Sequence, residues 1–415
     1  ILIGLVGSEM CIRDRKYMLY RSFYIKKTNI MIIREEFFMN LLKNIWVRGI
    51  IIICILIGGF FFLQSYNQVE KPTLVNTQGR AFEKATVVEV LKDNIQEDGS
   101  RVGDQVVLLQ METGPQKGQI LEANSPNGLL FGTACKPGLE VITISSVVGQ
   151  LHVTTVYNVD RSKPIYIFIA IFLISLCIIG GKKGVKSAIA LIFSFICFVF
   201  VFFPMIMKGT SPSLAAIFTA TIVTAMTICL INGFTIKALS AILATFFGLL
   251  IAGLTADIFG YFTSLSGYNV SNIEALLFIG QNTLIDVGQL LFAGVLFASL
   301  GAVMDIAMDV SSAVQELHVK NPALTPKELF KSGMNVGRDI MGTMSTTLIL
   351  AFFGGSLGVW VLDYVYDLPY LQLINSNSIG IEIMQGISGS FGVILTVPIV
   401  ALFSAWLPHY LENKK

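Results

Sequence analysis

The residues of this sequence that could do chemistry are a few carboxylates set at the ends of long apolar runs. Asp286 and Gln289 stand where one run begins, and Asp305 and Asp309 stand where it ends. Between Val287 and Met304 only Gln289 and Ser299 are polar. Helical spacing puts Asp305, Asp309, Ser312 and Glu316 on one stripe. Ionisable groups at membrane depth are costly and usually face a bundle interior or a water-filled path. The chemistry indicated is therefore the collection of cations or the relay of protons. The plainer reading is a solvated helix extension with Arg338 or Lys331 as ionic partners, and Asp286 differs in having no basic residue in its loop.

Two further groups join these. Arg338-Asp339 opens the next apolar run, and Asn335, Asp339, Thr343 and Thr346 or Thr347 share one helical face. Arg338 either anchors at the headgroups or forms a gating pair with Asp305 or Asp309, because a guanidinium fork matches a carboxylate. Glu382 and Gln385 open the last run among Gly386, Ser388, Gly389, Ser390 and Gly392, ahead of a kink at Pro398. Glycines there allow close helix approach or a broken helix of the kind that lines transporter sites. Glu382 is then either a lining residue or an outer-surface one. Gly294, Ala298 and Ala302 form a small-xxx-small face suited to packing.

Other chemistries lack their signatures. The sequence has no phosphate-binding G-x-x-x-x-G-K-[ST], no H-E-x-x-H and no G-x-S-x-G. His152, His318 and His409 fall in different regions, so no histidine metal site is expected, and no cofactor is called for. Asp305 and Asp309 as ligands of a hard divalent ion would make an intramembrane enzyme the minor alternative. Cys135 stands alone in its region and there is no C-x-x-C.

Composition dictates the elements that hold these residues. The 415 residues are 54% hydrophobic and 13% charged, with mean hydropathy +0.71, against about 25% charged in ordinary soluble domains. A formal net charge of +2 offers no case for nucleic acid. Runs near the ~20 residues that cross a bilayer fall at about 165–180, 185–205, 212–231, 237–256, 286–308, 340–362 and 381–406. An anchor at 46–65 precedes them; it lacks a small-residue cleavage site, although a cleaved signal peptide is the alternative. The fold class expected is a polytopic α-helical membrane protein of about eight transmembrane helices, its seven-helix membrane domain covering 164–410.

Lys182, Lys183, Lys186, Lys237, Lys320, Lys327, Lys331, Arg338 and the tail Lys414-Lys415 all fall on one side of that count. The loops at 257–274 and 363–380 carry no Lys or Arg. The positive-inside rule then puts both termini in the cytoplasm and residues 66–163 outside. Within 309–338, Thr325-Pro326-Lys327-Glu328 is a capping box with Pro at the first helical position, predicting a short surface helix at 326–332 that stops at Gly333.

Residues 66–163 read as β structure. Ala85–Val90, Gln105–Glu112, Gly118–Ala123, Leu139–Ile144 and Leu151–Tyr157 are strand-like, with turns at Gly114-Pro115 and Ser125-Pro126-Asn127-Gly128. Five short strands suggest a small extracytoplasmic β-barrel-like domain of OB or SH3-like type. Its nine basic and eleven acidic side chains do not suit nucleic acid. A rigid cap or a surface for a cell-envelope protein is expected. Residues 1–15 resemble a translated sequencing-adapter sequence, and 1–38 read as an artefact or a disordered N-terminus.

The stretches Gly301-Ala302-Val303-Met304-Asp305-Ile306-Ala307, Ala313-Val314-Gln315-Glu316-Leu317 and Ser332-Gly333-Met334-Asn335-Val336-Gly337-Arg338-Asp339-Ile340-Met341-Gly342-Thr343-Met344 resemble the YibE/F family. Thr347-Leu348-Ile349-Leu350-Ala351, Asp160-Arg161 and Val397-Pro398 continue the likeness, which covers roughly 80–408. The resemblance implies a multi-pass protein of a bacterial cytoplasmic membrane, with the β domain on the cell-surface side. It implies no activity or substrate.

From all this the expected function is a permease or channel-like transporter for a small solute, cation or proton. Its path would be lined from Asp286, Gln289, Asp305, Asp309, Arg338, Asp339, Thr343, Glu382 and Gln385. The alternative is a non-transporting scaffold or signalling protein that acts through its β domain.

Overall fold

A computed structural model describes residues 59, 64–69, 80–96, 101–126, 132–148, 151–270 and 273–412. The chain divides into two units, 1–69 and 70–415. In the first, only a helical turn at 64–66 adjoins described loop residues. Most of the expected anchor at 46–65, all of 1–38 and the basic tail at 414–415 lie outside the described residues.

The second unit starts with five strands, β1 (Arg80–Lys92), β2 (Gln105–Met111), β3 (Ile120–Ser125), β4 (Glu140–Val148) and β5 (Leu151–Val159). They close a barrel in the order β1-β2-β3-β5-β4. All pairs are antiparallel except β3 with β5, which is parallel. Alternation decides what fills it: Ala85, Val87, Val107, Leu109, Met111, Ala123, Val141 and Val156 point inward and are buried. Register shifts in β1 at Val87/Glu89 and Val90/Lys92 are the local bends that closure requires. The buried amide of Gln105 is satisfied: its Oε1 accepts from the Cys135 N–H at 2.8 Å, and its Nε2 donates to Asp93 at 2.9 Å.

The barrel is tied to the first helix by charge. Lys84 Nζ lies 2.7 Å from Asp160 Oδ2 and donates to Ser162 Oγ at 2.9 Å. Asp160 Oδ1 accepts from the Ser162 N–H and hydroxyl, so one carboxylate serves both the β1 lysine and the opening of α1. Lys163 and Glu140 add a second pair at 2.6 Å.

The helices are α1 (Ser162–Cys197), which passes through a π turn at Phe198–Phe202 into α2 (Phe203–Met207), then α3 (Pro212–Asn232), α4 (Ile236–Thr263), α5 (Ile273–Asn282), α6 (Val287–Lys320), α7 (Pro326–Gly355), α8 (Leu357–Val365), α9 (Tyr370–Ile374) and α10 (Asn377–Glu412). Five stretches are long and apolar enough to cross a membrane: Ser162–Met207, Pro212–Asn232, Ile236–Thr263, Val287–Lys320 and Asn377–Tyr410. A sixth follows if α7 and α8, bent by 65°, are taken as one.

The first of these doubles back on itself. Gly181 has φ 52 and ψ −132, and a Cβ on Gly184 would sit 2.1 Å from the Leu176 carbonyl oxygen. Eight residues of straight helix would separate those positions by about 12 Å. The chain therefore reverses at the Gly180-Gly181-Lys182-Lys183 corner.

Four helices, α4, α6, α7 and α10, make the main core. Val303, Ile306, Val310, Val314, Leu348, Val393, Val397 and Ala401 are its buried members. Their backbones approach so closely that glycine is required at the crossings. A Cβ on Gly248 would lie 2.0 Å from Thr396 Oγ1, and one on Gly392 would lie 2.9 Å from the Ala252 Cβ.

Two expectations change. The Thr325–Glu328 capping box forms, with Thr325 Oγ1 and Glu328 Oε2 each accepting from the other's backbone N–H. The helix it starts does not stop at Gly333: α7 runs unbroken to Gly355. Gly333 is a packing glycine instead, with Val314 2.8 Å and Ala401 3.0 Å from where its Cβ would be. No proline follows Gly333 to break the helix, so helical hydrogen bonding continues through it. Asp257, expected in a loop, lies on α4, which extends to Thr263.

Two outcomes follow. Gly337→Leu would put a Cβ 2.2 Å from Val397 Cγ1, so it should cost about 1–3 kcal/mol by overpacking. Gly342→Ala, which meets nothing within 4 Å, should melt like the parent in detergent. At the junction, the Lys84 and Ser162 hydrogen bonds hold the Asp160 pKa down to about 2, below the ordinary 3.8. A depressed carboxylate stabilises the fold above about pH 4 and loses that contribution as pH falls through about 2. Amide exchange in β1 and β5 should show this acid response, and Asp160→Asn should abolish it.

Candidate functional site

Among the described residues, buried polar atoms without a partner include the hydroxyls of Ser213, Thr219, Thr224, Ser240 and Ser404, and three more fall on α7, α8 and α10, at Ser345, Asp363 and Glu382. Most hydroxyls in the spans are spent on their own helices. Ser299 donates to Val295 O, Thr396 to Gly392 O and Ser390 to Gly386 O, each four residues back. Glu382 is different. Its Oε1 accepts a hydrogen bond from the Ser356 hydroxyl, and its Oε2 is buried with no partner among the described residues.

Ser356 occupies the break between α7 and α8, directly after Gly354 and Gly355, where the chain bends by 65°. On α8 the less exposed positions are Ser356, Trp360 and Asp363, spaced 4 and 7 residues along one face. Asp363 Oδ2 is also buried with no partner among the described residues. On α7, Ser345 Oγ is likewise buried and unpartnered among the described residues, while the Ser390 hydroxyl reaches the Ser345 carbonyl at 3.5 Å. Gln385 lies half-buried one turn from Glu382.

Asp305 and Asp309 sit elsewhere. Gly333 touches Val314, and Leu348 and Ser299 both crowd Gly389. These contacts fix one antiparallel register between α6 and α7. It sets Arg338 level with Asp309, and Gly342 level with Asp305. All of these, with Asp339 and Thr343, are exposed. The Thr343 hydroxyl donates to Ile340 O at 2.8 Å.

The expected buried pair between Arg338 and Asp305 or Asp309 is not formed among the described residues, whose ion pairs are Lys84–Asp160, Lys163–Glu140 and Lys320–Glu316. Helical phase explains why. Arg338 shares a stripe of α7 with Ile349, eleven residues on, and Ile349 packs on Gly386 of α10. That flank faces away from α6.

Asp286 and Gln289 are at the other end of α6. Asp286 is the exposed N-cap, its Oδ1 accepting from the Gln289 N–H at 3.3 Å. The Gln289 side chain accepts from Ser211 Oγ at the head of α3. Asp286 thus has a structural task that its lack of a basic neighbour does not reveal.

Sequence reasoning missed three features. Ser356 and Asp363 were not singled out, because a helix break shows only in the Gly354-Gly355-Ser356 run. The third is the approach of His318 and His409, whose ring centroids lie 5.4 Å apart although 91 residues of sequence separate them. They come together because α6 and α10 run parallel and end at the same level. Among the described residues no group of three or more His, Cys, Asp or Glu could hold a metal ion.

A bundle of long apolar helices behind a small closed barrel, with its few carboxylates at helix ends and breaks, defines an integral membrane protein. The chain belongs to the YibE/F-like protein family, whose model matches residues 168–409, nearly the whole of the helical region. No curated protein and no solved structure shows significant similarity to it.

The capping role of Asp286 has a direct test. Asp286→Ala should lower stability by about 1 kcal/mol, whereas Asp286→Asn, an equally good cap, should stay close to the parent. Thermal denaturation in detergent compares the two.

Proposed function

We propose that this chain is a permease of a bacterial cytoplasmic membrane, moving a small solute, a cation or protons through α6, α7 and α10. The observation that carries the reading is the break of α7 beside the half-satisfied carboxylate of Glu382. Broken helices free backbone groups at membrane depth, and proteins tolerate this where the break is buried or lines a cavity. On this reading Glu382 and Gln385 flank the outer half of the path, near Asp286 and Gln289. Asp305, Asp309, Asp339 and Thr343 form the inner mouth, with Arg338 beside it at the same depth.

In the same proposal the reversal at Gly181 separates two spans, so that α1 to α10 supply seven crossings and the segment at 46–65 an eighth. Lys182, Lys183 and Lys186 at that corner then lie in the cytoplasm with both termini, and the barrel lies outside, available to a cell-envelope protein. Support comes from the basic residues, which cluster at the Gly181 corner and around α6 to α7 and are missing from 363–380.

Purified protein in sealed vesicles tests the reading. Asp305→Asn should cut solute or proton flux at least tenfold while leaving the melting temperature unchanged. Parent-level flux in both Asp305→Asn and Asp309→Asn would remove α6 from the path.

A further inference from the structure

We propose that the break between α7 and α8 is a monovalent cation site, with Glu382 as its charged ligand and Ser356 as its hydroxyl ligand. The proposal deepens the permease reading by naming its ion class, but binding itself does not require transport.

The argument starts from an imbalance of charge and hydrogen bonds. Glu382 offers a carboxylate with one oxygen engaged by the Ser356 hydroxyl and the other buried without a donor. Uncompensated buried carboxylate oxygens are expensive, and no Lys, Arg or His forms an ion pair with Glu382 among the described residues. The contacts of α10 with α7 show its depth. Gly386 packs on Ile349 and Gly389 on Leu348, so Glu382 lies about one turn further toward the break, level with the end of α7.

Each neighbouring group favours a cation. The C-terminal end of α7 at Gly355 carries the negative pole of that helix, which stabilises positive charge near it. Ser356 donates its only hydroxyl hydrogen to Glu382, leaving its lone pairs free for a hard cation. Asp363, two turns along the same face of α8, is about 10 Å further on and is not counted as a ligand. Gln385 adds an amide carbonyl one turn from Glu382. In discontinuous transporter helices, unwound carbonyls and half-helix C-termini are the groups that coordinate coupling ions.

The charge count favours a single positive charge. Divalent Ca²⁺ takes six to eight oxygens, usually including several carboxylates. Here no cluster of three or more acidic or other metal-binding side chains exists among the described residues. One carboxylate in direct contact with the break, supplemented by neutral oxygens, balances one charge.

The test uses the full chain in detergent. Its melting temperature is followed in NaCl and KCl against N-methylglucamine chloride at equal ionic strength, and in a chain also carrying Trp46→Phe and Trp406→Phe, Trp360 on the same face of α8 serves as a local fluorescence reporter. Sodium or potassium should raise the melting temperature and shift tryptophan emission, with saturation. Glu382→Gln should weaken the apparent affinity tenfold or more, and Ser356→Ala several-fold. Glu316→Gln, an exposed residue paired with Lys320 on α6, should respond like the parent.

A folded Glu382→Gln protein with the parental response overturns the site. So does stabilisation by Mg²⁺ or Ca²⁺ but by neither monovalent ion, or a response to pH alone. If Glu382→Gln does not fold, equilibrium dialysis of radioactive sodium with Ser356→Ala decides: unchanged affinity overturns the proposal. Binding without vesicle flux would sink the permease reading and leave the site standing. Flux without binding would do the reverse.

Discussion

The helical part of this protein depends on close approach of backbones where apolar burial alone gives little preference between protein and lipid. Lipid tails are as apolar as leucine, so helices gain by fitting tightly and not by leaving water. At Gly248, Gly333, Gly337, Gly389 and Gly392 the neighbouring helix stands where a methyl would go. These contacts set the registers of α4, α6, α7 and α10. They thereby decide which polar residues share a depth: Asp309 with Arg338, Ser299 with Leu348, Glu382 with the end of α7.

The same constraint sorts polar groups by consequence. A serine or threonine in a span can return its hydrogen bond to its own helix, and most do. A carboxylate has no such recourse, because it needs donors and its own helix has none to spare. Glu382 finds one donor by reaching across to Ser356 at the place where α7 bends. The bend and the carboxylate thus belong together. A continuous α7 would have offered no free hydroxyl at that level, and an apolar residue at 382 would have left Ser356 without its acceptor.

The barrel is stabilised in another way. It buries alternating side chains and closes on itself, removing exposed edges. Its connection to the helices runs through Asp160, which holds Lys84 of β1 and the Ser162 N–H at the start of α1 at once.

Much of this was legible in the residues. Hydropathy alone locates the long apolar runs, because burying backbone in lipid demands ~20 of them in a row. Alternation locates the five strands. The Thr325–Glu328 cap is readable because its geometry is local. The break at Gly354–Ser356 and the continuity of α7 through Gly333 were less so, since glycine permits a turn, a kink or a close crossing. Its neighbours in space choose among these. The pairing of Arg338 with Asp305 or Asp309 was reasonable by depth and failed by phase, and only the seating of Ile349 on α10 fixes that phase. The sequence by itself determined which residues are apolar enough for a membrane, which form a barrel, and how few charges remain between them. The tertiary structure decided which of those charges lack partners, because satisfaction of a buried carboxylate depends on what a different helix brings within hydrogen-bond reach.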